Sequence, residues 1–248
     1  MSPDDLRRTV AEKKAALDRL RPLRGGALDA LRKYYDLELT YTSNAIEGNE
    51  LTARETAEVI EHGITVAGKR LRDHLEAVDH YEAVQWMREL AGAGTPVTEA
   101  IVCELHRRIV ARSQPAIAGV YSRHPRRILG SAAVFPNPAK VPDLMRDLGV
   151  WLETAQSTPE TAFDAHLRLV SIHPFSDGNG RTARLLMNLL LLRAGYAPIA
   201  VRPEDRAAYL DALEQTHAGG DLAYRMVMYE RLDATLADYL RVLDETTG

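Results

Sequence analysis

The stretch IHPFSDGNGRTARLLMNLLLL, residues 172–192, constrains the fold more than any other part of the chain. Residues 185–192 are apolar except for Asn188. They read as the most buried helix of the molecule. The run is too short to cross a bilayer, so it belongs in a protein interior. The residues just before it, 173–184, hold a histidine, an acid, two glycines around an asparagine, and two arginines. A polar cluster at the threshold of a buried helix is a site, and the helix is its rigid base.

The rest of the chain has helical periodicity almost throughout. An opening helix runs from about Ser2 and stops near Pro22, Gly25 and Gly26. A second runs from about Ala27 to Gly48. Thr52 and Glu55 form a capping box at the start of a third. A long amphipathic helix follows over residues 71–90, with Leu75, Val78, Met87 and Leu90 among its apolar positions. Thr98 caps another, to about Ala111. The period disappears over residues 119–138, where Gly, Pro and β-formers predict a short β-hairpin or extended flap. Helices resume at Pro142 and at Pro159. Thr158 caps the second of these, which ends at His173. After the apolar helix, closed by Gly195 and Pro198, two more are predicted near residues 203–217 and 221–242. The fold class is all-α with one β-flap.

The 248 residues are 46% hydrophobic, enough for a sizeable core. The formal charge of -4 gives no basic footprint for nucleic acid. The charged N-terminus lacks a signal region, and no membrane span is expected, which makes a cytoplasmic protein the default. Cys103, the single cysteine, allows no internal disulfide and no cysteine zinc cluster. Its helical spacing with Ile101, Leu105 and Ile109 predicts a buried structural thiol.

Within the cluster, Gly178 and Gly180 let the backbone approach a ligand closely. The helix that follows presents unpaired N–H groups and the positive end of its dipole, a ready site for phosphate. Arg181 and Arg184 lie three apart on one helix face, where the dipole disfavours them. An anion between them resolves that conflict, and two guanidinium groups suit a polyphosphate. Asp177, beside such phosphates, is placed to hold Mg2+. His173, one loop away, suits a general base. Phe175 is expected to anchor the loop in the core. Taken singly, each feature has a plain reading: a turn, a C-cap, an N-cap. Together, within twelve residues, they describe an anion site suited to a polyphosphate.

HPFSDGNGRTAR resembles the signature of Fic-domain proteins, His-x-Phe-x-(Asp/Glu)-Gly-Asn-Gly-Arg-x-x-Arg, with every fixed position filled. SNAIEGN, LTARET, the flap and a RAGY…Y…GD tail extend the likeness over residues 41–243. The resemblance implies a Fic-fold helical bundle with an N-terminal helical region over residues 1–95 and a catalytic core over residues 96–248. It implies transfer of AMP from ATP to a Ser, Thr or Tyr hydroxyl of a target protein. His173 would deprotonate that hydroxyl, and Asp177 would hold Mg2+ at the α- and β-phosphates. Gly178, Asn179 and Gly180 would form the anion hole. Arg181 would take the leaving phosphates and Arg184 the γ-phosphate. The helix carrying Tyr209, Leu213 and His217 would line the adenine pocket. The flap would hold the target by β-augmentation, with Ile128 or Phe135 as clamps or as residues packed on the body. The flap departs from the family pattern, since Gly119-Val-Tyr121 is followed by Ser122 and then Arg123. A homodimer is a further option that the family suggests.

Ser43 and Glu47 are four apart, so they share a helix face, and Glu47 sits in the last turn before Gly48, where the dipole disfavours an acid. It mirrors the misplaced arginines. SNAIEG also resembles the inhibitory motif of Fic proteins, (Ser/Thr)-x-x-x-Glu-(Gly/Asn), which implies that Glu47 pairs with Arg184 and blocks productive γ-phosphate placement. The plain alternative is an exposed glutamate beside a glycine cap. Three activities stay open at this stage: a self-inhibited protein AMP-transferase, using ATP or another donor such as UTP; removal of AMP, with Glu47 orienting a water; and a non-catalytic nucleotide-sensing or protein-binding module.

Overall fold

The computed structural model describes residues 2–20, 26–128 and 131–247. The helices, in chain order, are α1 (Pro3–Arg19), α2 (Gly26–Ile46), α3 (Ala53–His62), α4 (Leu71–Ala93), α5 (Glu99–Ile109), α6 (Val141–Thr154), α7 (Pro159–Ile172), α8 (Asn179–Arg193), α9 (Arg206–His217) and α10 (Leu222–Thr247). Several boundaries follow from local chemistry. Thr52 and Glu55 close a reciprocal capping box on α3. Thr98 and Thr158 cap α5 and α7, and Pro159 takes the first position of α7. The predicted stop of the first helix at Pro22 and Gly25 lies outside the described residues.

Helix α8 is the axis. Every residue from Arg181 to Leu191 is buried. Helix α7 packs along it most extensively, and α4, α5 and α2 close its other sides. Helices α1 and α10 pack against each other, and one buried cluster runs from Leu6 through Leu243. No described helix is long and apolar enough to cross a membrane.

Three expectations need correction. The described flap residues form no β-hairpin. They run as irregular chain between 3-10 turns at Pro115–Ile117 and Pro138–Lys140, and their one β-bridge is antiparallel, from Tyr121 to Phe175 of the signature loop. The β-formers of the flap bond to the body, with Ser122 N–H donating to the Pro174 carbonyl at 2.8 Å, so no neighbouring strand is needed. Helix α4 is not amphipathic in the ordinary sense. Its first half buries Asp73, His74, Glu76, Asp79 and His80, while Leu71 is exposed and Leu75 and Val78 are half-buried. Met87, Val84 and Ala83 then carry the same helix into the apolar core. Cys103 is half-buried rather than buried; its thiol donates to the Tyr121 hydroxyl at 3.2 Å, and burial pushes its pKa up, which disfavours the thiolate.

Candidate active site

Helix α7 ends at His173, whose backbone is left-handed with φ 51°, the one non-glycine positive φ among the described residues. Glycine is the common residue for that conformation; a histidine held there stores strain where a functional side chain is displayed. The loop then turns back through Phe175, which is fully buried and stacked on His106 at 3.7 Å between ring centroids. His106, at the end of α5, accepts from Gly119 N–H through Nδ1 and donates through Nε2 to the Asp177 carbonyl, each at 3.0 Å. One buried ring therefore ties the flap base to the signature loop. Burial holds His106 at a pKa of about 4, so it remains neutral and keeps both bonds.

Asn179 serves the same loop. Its side chain accepts from Phe175 N–H and donates to Phe175 C=O, each at 2.9 Å, mimicking a peptide pair. With that side chain turned inward, an anion at this end of α8 meets backbone N–H groups. Gly178 enters the helix with φ 74° as its N-cap. At Gly180 a Cβ would collide with a Glu47 carboxylate oxygen and crowd Arg184, so any larger residue there must push that ion pair aside.

The two arginines that the dipole disfavours are both answered by carboxylates of the chain itself. Arg184, whose side chain is 6% exposed, donates to Glu47 Oε1 at 2.7 Å and to the Ser43 hydroxyl and carbonyl at 2.9 Å each. Arg181, 1% exposed, lies 3.4 Å from Glu76, 3.5 Å from Asp177 and 3.4 Å from the Asn44 carbonyl oxygen of its side-chain amide. Glu47 is presented by a Schellman turn at the end of α2. Gly48, with φ 91°, donates to Ala45 C=O and Asn49 donates to Asn44 C=O.

Asp177 stands at the cavity wall. Its Oδ1 accepts from Gly178 N–H at 2.6 Å, and Oδ2 accepts from Arg72 at 2.9 Å and Gln114 at 2.5 Å. Burial works against its ionised form, but the Arg181 charge and these hydrogen bonds outweigh it and hold its carboxyl below the ordinary range. Burial also lowers the pKa of His173, partly offset by the bond its ring donates to the Val170 carbonyl and by the Glu47 charge; Arg126 pushes it further down. With one ring nitrogen engaged as a donor, the other is free to accept a proton.

These groups line one cavity of about 460 Å3, which His173, Asp177, Gly178, Asn179, Gly180, Arg184 and Glu47 share with Tyr209, Leu213 and His217. Tyr209 is 1% exposed; its hydroxyl bonds His166 at 2.8 Å and also touches Arg184, so it forms part of the floor. Leu213 is half-buried and His217 exposed, and Ile128 and Phe135 of the flap line the same cavity. The Phe135 ring lies 4.1 Å from that of His173. Ile128 is exposed. The flap is tied to α9 by Glu214, which accepts from the Ser131 hydroxyl and from Ala132 N–H at 2.6 Å each. The arginine that reaches from the flap to the signature loop is Arg126, through Ser122 at 2.9 Å and Ser176 at 2.6 Å, not Arg123.

Sequence reasoning missed Arg72, Glu76, His106, Gln114 and Arg126. For Glu76 a signal existed. Asp73, Glu76 and His80 recur at helical spacing, and a polar stripe on a helix that turns apolar further along marks the rim of a buried site.

For a divalent cation, the donor chemistry fits only in part. Asp177 is ionised and faces the cavity, but no described cluster of three or more His, Cys, Asp or Glu residues stands around it. A cation there would need its remaining ligands from a bound polyphosphate and water, which is how Mg2+ is commonly held.

Residues 96–191 match the Fic/DOC family model, so the chain carries a Fic/DOC domain. It is similar to a protein adenylyltransferase Fic of Nematostella vectensis, 33% identical over 231 residues, covering 90% of this chain and 53% of that protein. The chain spans about half the length of the curated relatives it matches. Its fold is similar to that of Fic-1 from C. elegans (TM-score 0.88, 28% identity, 98% of this chain and 73% of that one). It is also similar to a Fic domain containing signaling protein from Bacteroides thetaiotaomicron (TM-score 0.89, 28% identity, 96% and 97%). The helical bundle is thus the Fic fold.

Proposed function

We propose that this chain is a protein adenylyltransferase that transfers AMP from ATP to a Ser, Thr or Tyr hydroxyl of a target protein, and that Glu47 holds it inactive at rest. The observation that carries the reading is the Glu47–Arg184 pair at 2.7 Å, made in the wall of the cavity that His173, Asp177, Gly178, Asn179 and Gly180 also line. The names of its relatives support the same chemistry. Functionally the N-terminal helices, to about residue 95, restrain the site, and residues 96–248 supply the catalytic groups.

In this mechanism the target hydroxyl enters beneath the flap. Its proton goes to the free ring nitrogen of His173, neutral because burial depresses its pKa. The hydroxyl oxygen bonds to the α-phosphorus as the bond to the bridging oxygen of the β-phosphate breaks, so pyrophosphate leaves. Backbone N–H groups at the start of α8, with Arg181, stabilise the charge that develops on the phosphates. Arg184, once free of Glu47, grips the γ-phosphate and fixes the α-phosphate in line with the attacking oxygen. Asp177 would hold Mg2+, which supplies charge neutralisation on the phosphates when bound. Leu213 and His217 line the base end, with Tyr209 below them; Ile128 and Phe135 contact the target.

One observation favours a second reading. The Glu47 side chain is 38% exposed and lines the same cavity as His173, so a water held by it could attack an AMP–protein bond. The same site would then remove AMP. Incubation of the chain with Mg2+ and each α-labelled nucleoside triphosphate tests the first reading. Protein-bound label from ATP is the expected result; label from UTP alone would change the donor, and label from none, with the Glu47→Gly variant also silent, would refute transfer.

A further inference from the structure

We infer that Arg72 is a second latch on the site, one that occupies the Asp177 carboxylate and must be displaced before a divalent cation can bind there. The inference rests on the reading of Asp177 as the metal-holding carboxylate. Both oxygens of Asp177 are engaged: Oδ1 by the Gly178 N–H at 2.6 Å, and Oδ2 by Arg72 at 2.9 Å and Gln114 at 2.5 Å. Oδ2 already accepts two hydrogen bonds, and Oδ1 accepts one and has Arg181 at 3.5 Å, so a cation that enters the inner coordination sphere through Oδ2 must displace a donor. Gln114 is neutral and can yield without repelling it. Arg72 carries a full positive charge at hydrogen-bond distance from the position the cation would take, so the two compete.

Arg72 is aimed rather than adrift. It sits in the first turn of α4, and its Nε donates to Glu76 at 2.9 Å. Glu76 is a buried acid that also faces Arg181 at 3.4 Å and accepts from Asn49 at 3.1 Å. With Nε fixed on Glu76, the outer end of the guanidinium projects onto Asp177. The Arg72 side chain is 52% exposed, so it can swing into water when displaced. The arrangement parallels Glu47. In each case a helix of the N-terminal region sets an opposite charge on a group that the nucleotide or its metal needs.

The test is calorimetry on the full chain with a non-hydrolysable ATP analogue, in saturating Mg2+ and in EDTA. The ratio of the two dissociation constants is the metal gain. A half-exposed ion pair is worth little, so Arg72→Gln should raise the gain about two- to five-fold. Arg72→Lys keeps the charge and should stay near wild type. Asp177→Asn should remove the gain, and Arg72→Gln should add nothing in that background. A gain unchanged or lowered by Arg72→Gln, with Asp177→Asn still abolishing it, overturns the latch and leaves the metal reading intact. A gain that survives Asp177→Asn overturns both. Weaker binding of Arg72→Gln in Mg2+ would make Arg72 a phosphate ligand and likewise overturn the latch. Melting curves confirm that each variant is folded.

Discussion

Replacing Glu47 with glycine isolates the device on which the proposed function turns. The pair it breaks is made at 2.7 Å to an arginine whose side chain is 6% exposed, while the glutamate is 38% exposed. A pair this close is worth roughly 1.5 kcal/mol at the dielectric of water and roughly 6 kcal/mol at an effective value of 20. The exposed side of Glu47 places the pair toward the lower end, and Arg184 keeps its two bonds to Ser43 after the glutamate is gone. A coupling of about 1–3 kcal/mol converts to a rise in transfer of roughly 5- to 150-fold, because that energy no longer has to be supplied by the γ-phosphate. Autolabelling from α-labelled ATP reads it directly. Arg184→Ala should show no such gain, since grip and block are lost together. Without nucleotide, the Glu47→Gly variant should melt below wild type, because a buried guanidinium has lost its counter-charge, and ATP should restore more stability to it than to wild type. If Glu47 orients a hydrolytic water, the same variant loses AMP removal while it gains AMP addition. A variant that binds ATP yet labels no faster than wild type refutes the inhibitory role and returns residues 43–48 to an ordinary helix end.

Three further outcomes are expected. His173→Ala should abolish labelling while leaving ATP affinity nearly unchanged, as measured by calorimetry; in the Glu47→Gly background the acid limb of the rate should lie below the ordinary histidine value of ~6.5, because the base must be neutral and burial lowers its pKa, and adding Arg126→Ala should move that limb upward by removing a cation. Folded His106 has a pKa of about 4 and the unfolded residue about 6.5, so the unfolded chain takes up the proton first as pH falls; the stability this group contributes is whole above pH ~6.5 and is lost on the way to about pH 4, a change on the order of 3 kcal/mol that denaturant melts should follow and His106→Gln should flatten. Glu214→Ala removes the flap's two bonds to α9 and should speed proteolytic cleavage of the flap about 5-fold, as expected for ~1 kcal/mol of lost local stability; an unchanged cleavage rate would show that Phe135 and Arg126 hold the flap without it.

The sequence by itself determined the helices and the contents of the cradle. Helical period, threonine caps and the Pro159 start are local properties, set by neighbours three and four residues away, and they reappear in α3, α5 and α7. The signature was legible because its residues are consecutive and their chemistry conflicts with their position: two arginines at the wrong end of a helix announce a partner. Glu47 announced one in the same way. The tertiary structure decided who the partners are. Glu76 and Arg72 lie about a hundred residues before Asp177 and Arg181, and on α4 alone they read as a solvated face. Burial of that face against α8 turns the same charges into a support and a latch. The flap shows the same limit from the other side. Its composition favours extended chain, but whether such a chain pairs with itself or with the body depends on which hydrogen-bond acceptors the fold brings near, and here it is the signature loop, through Pro174 and Phe175, that receives it.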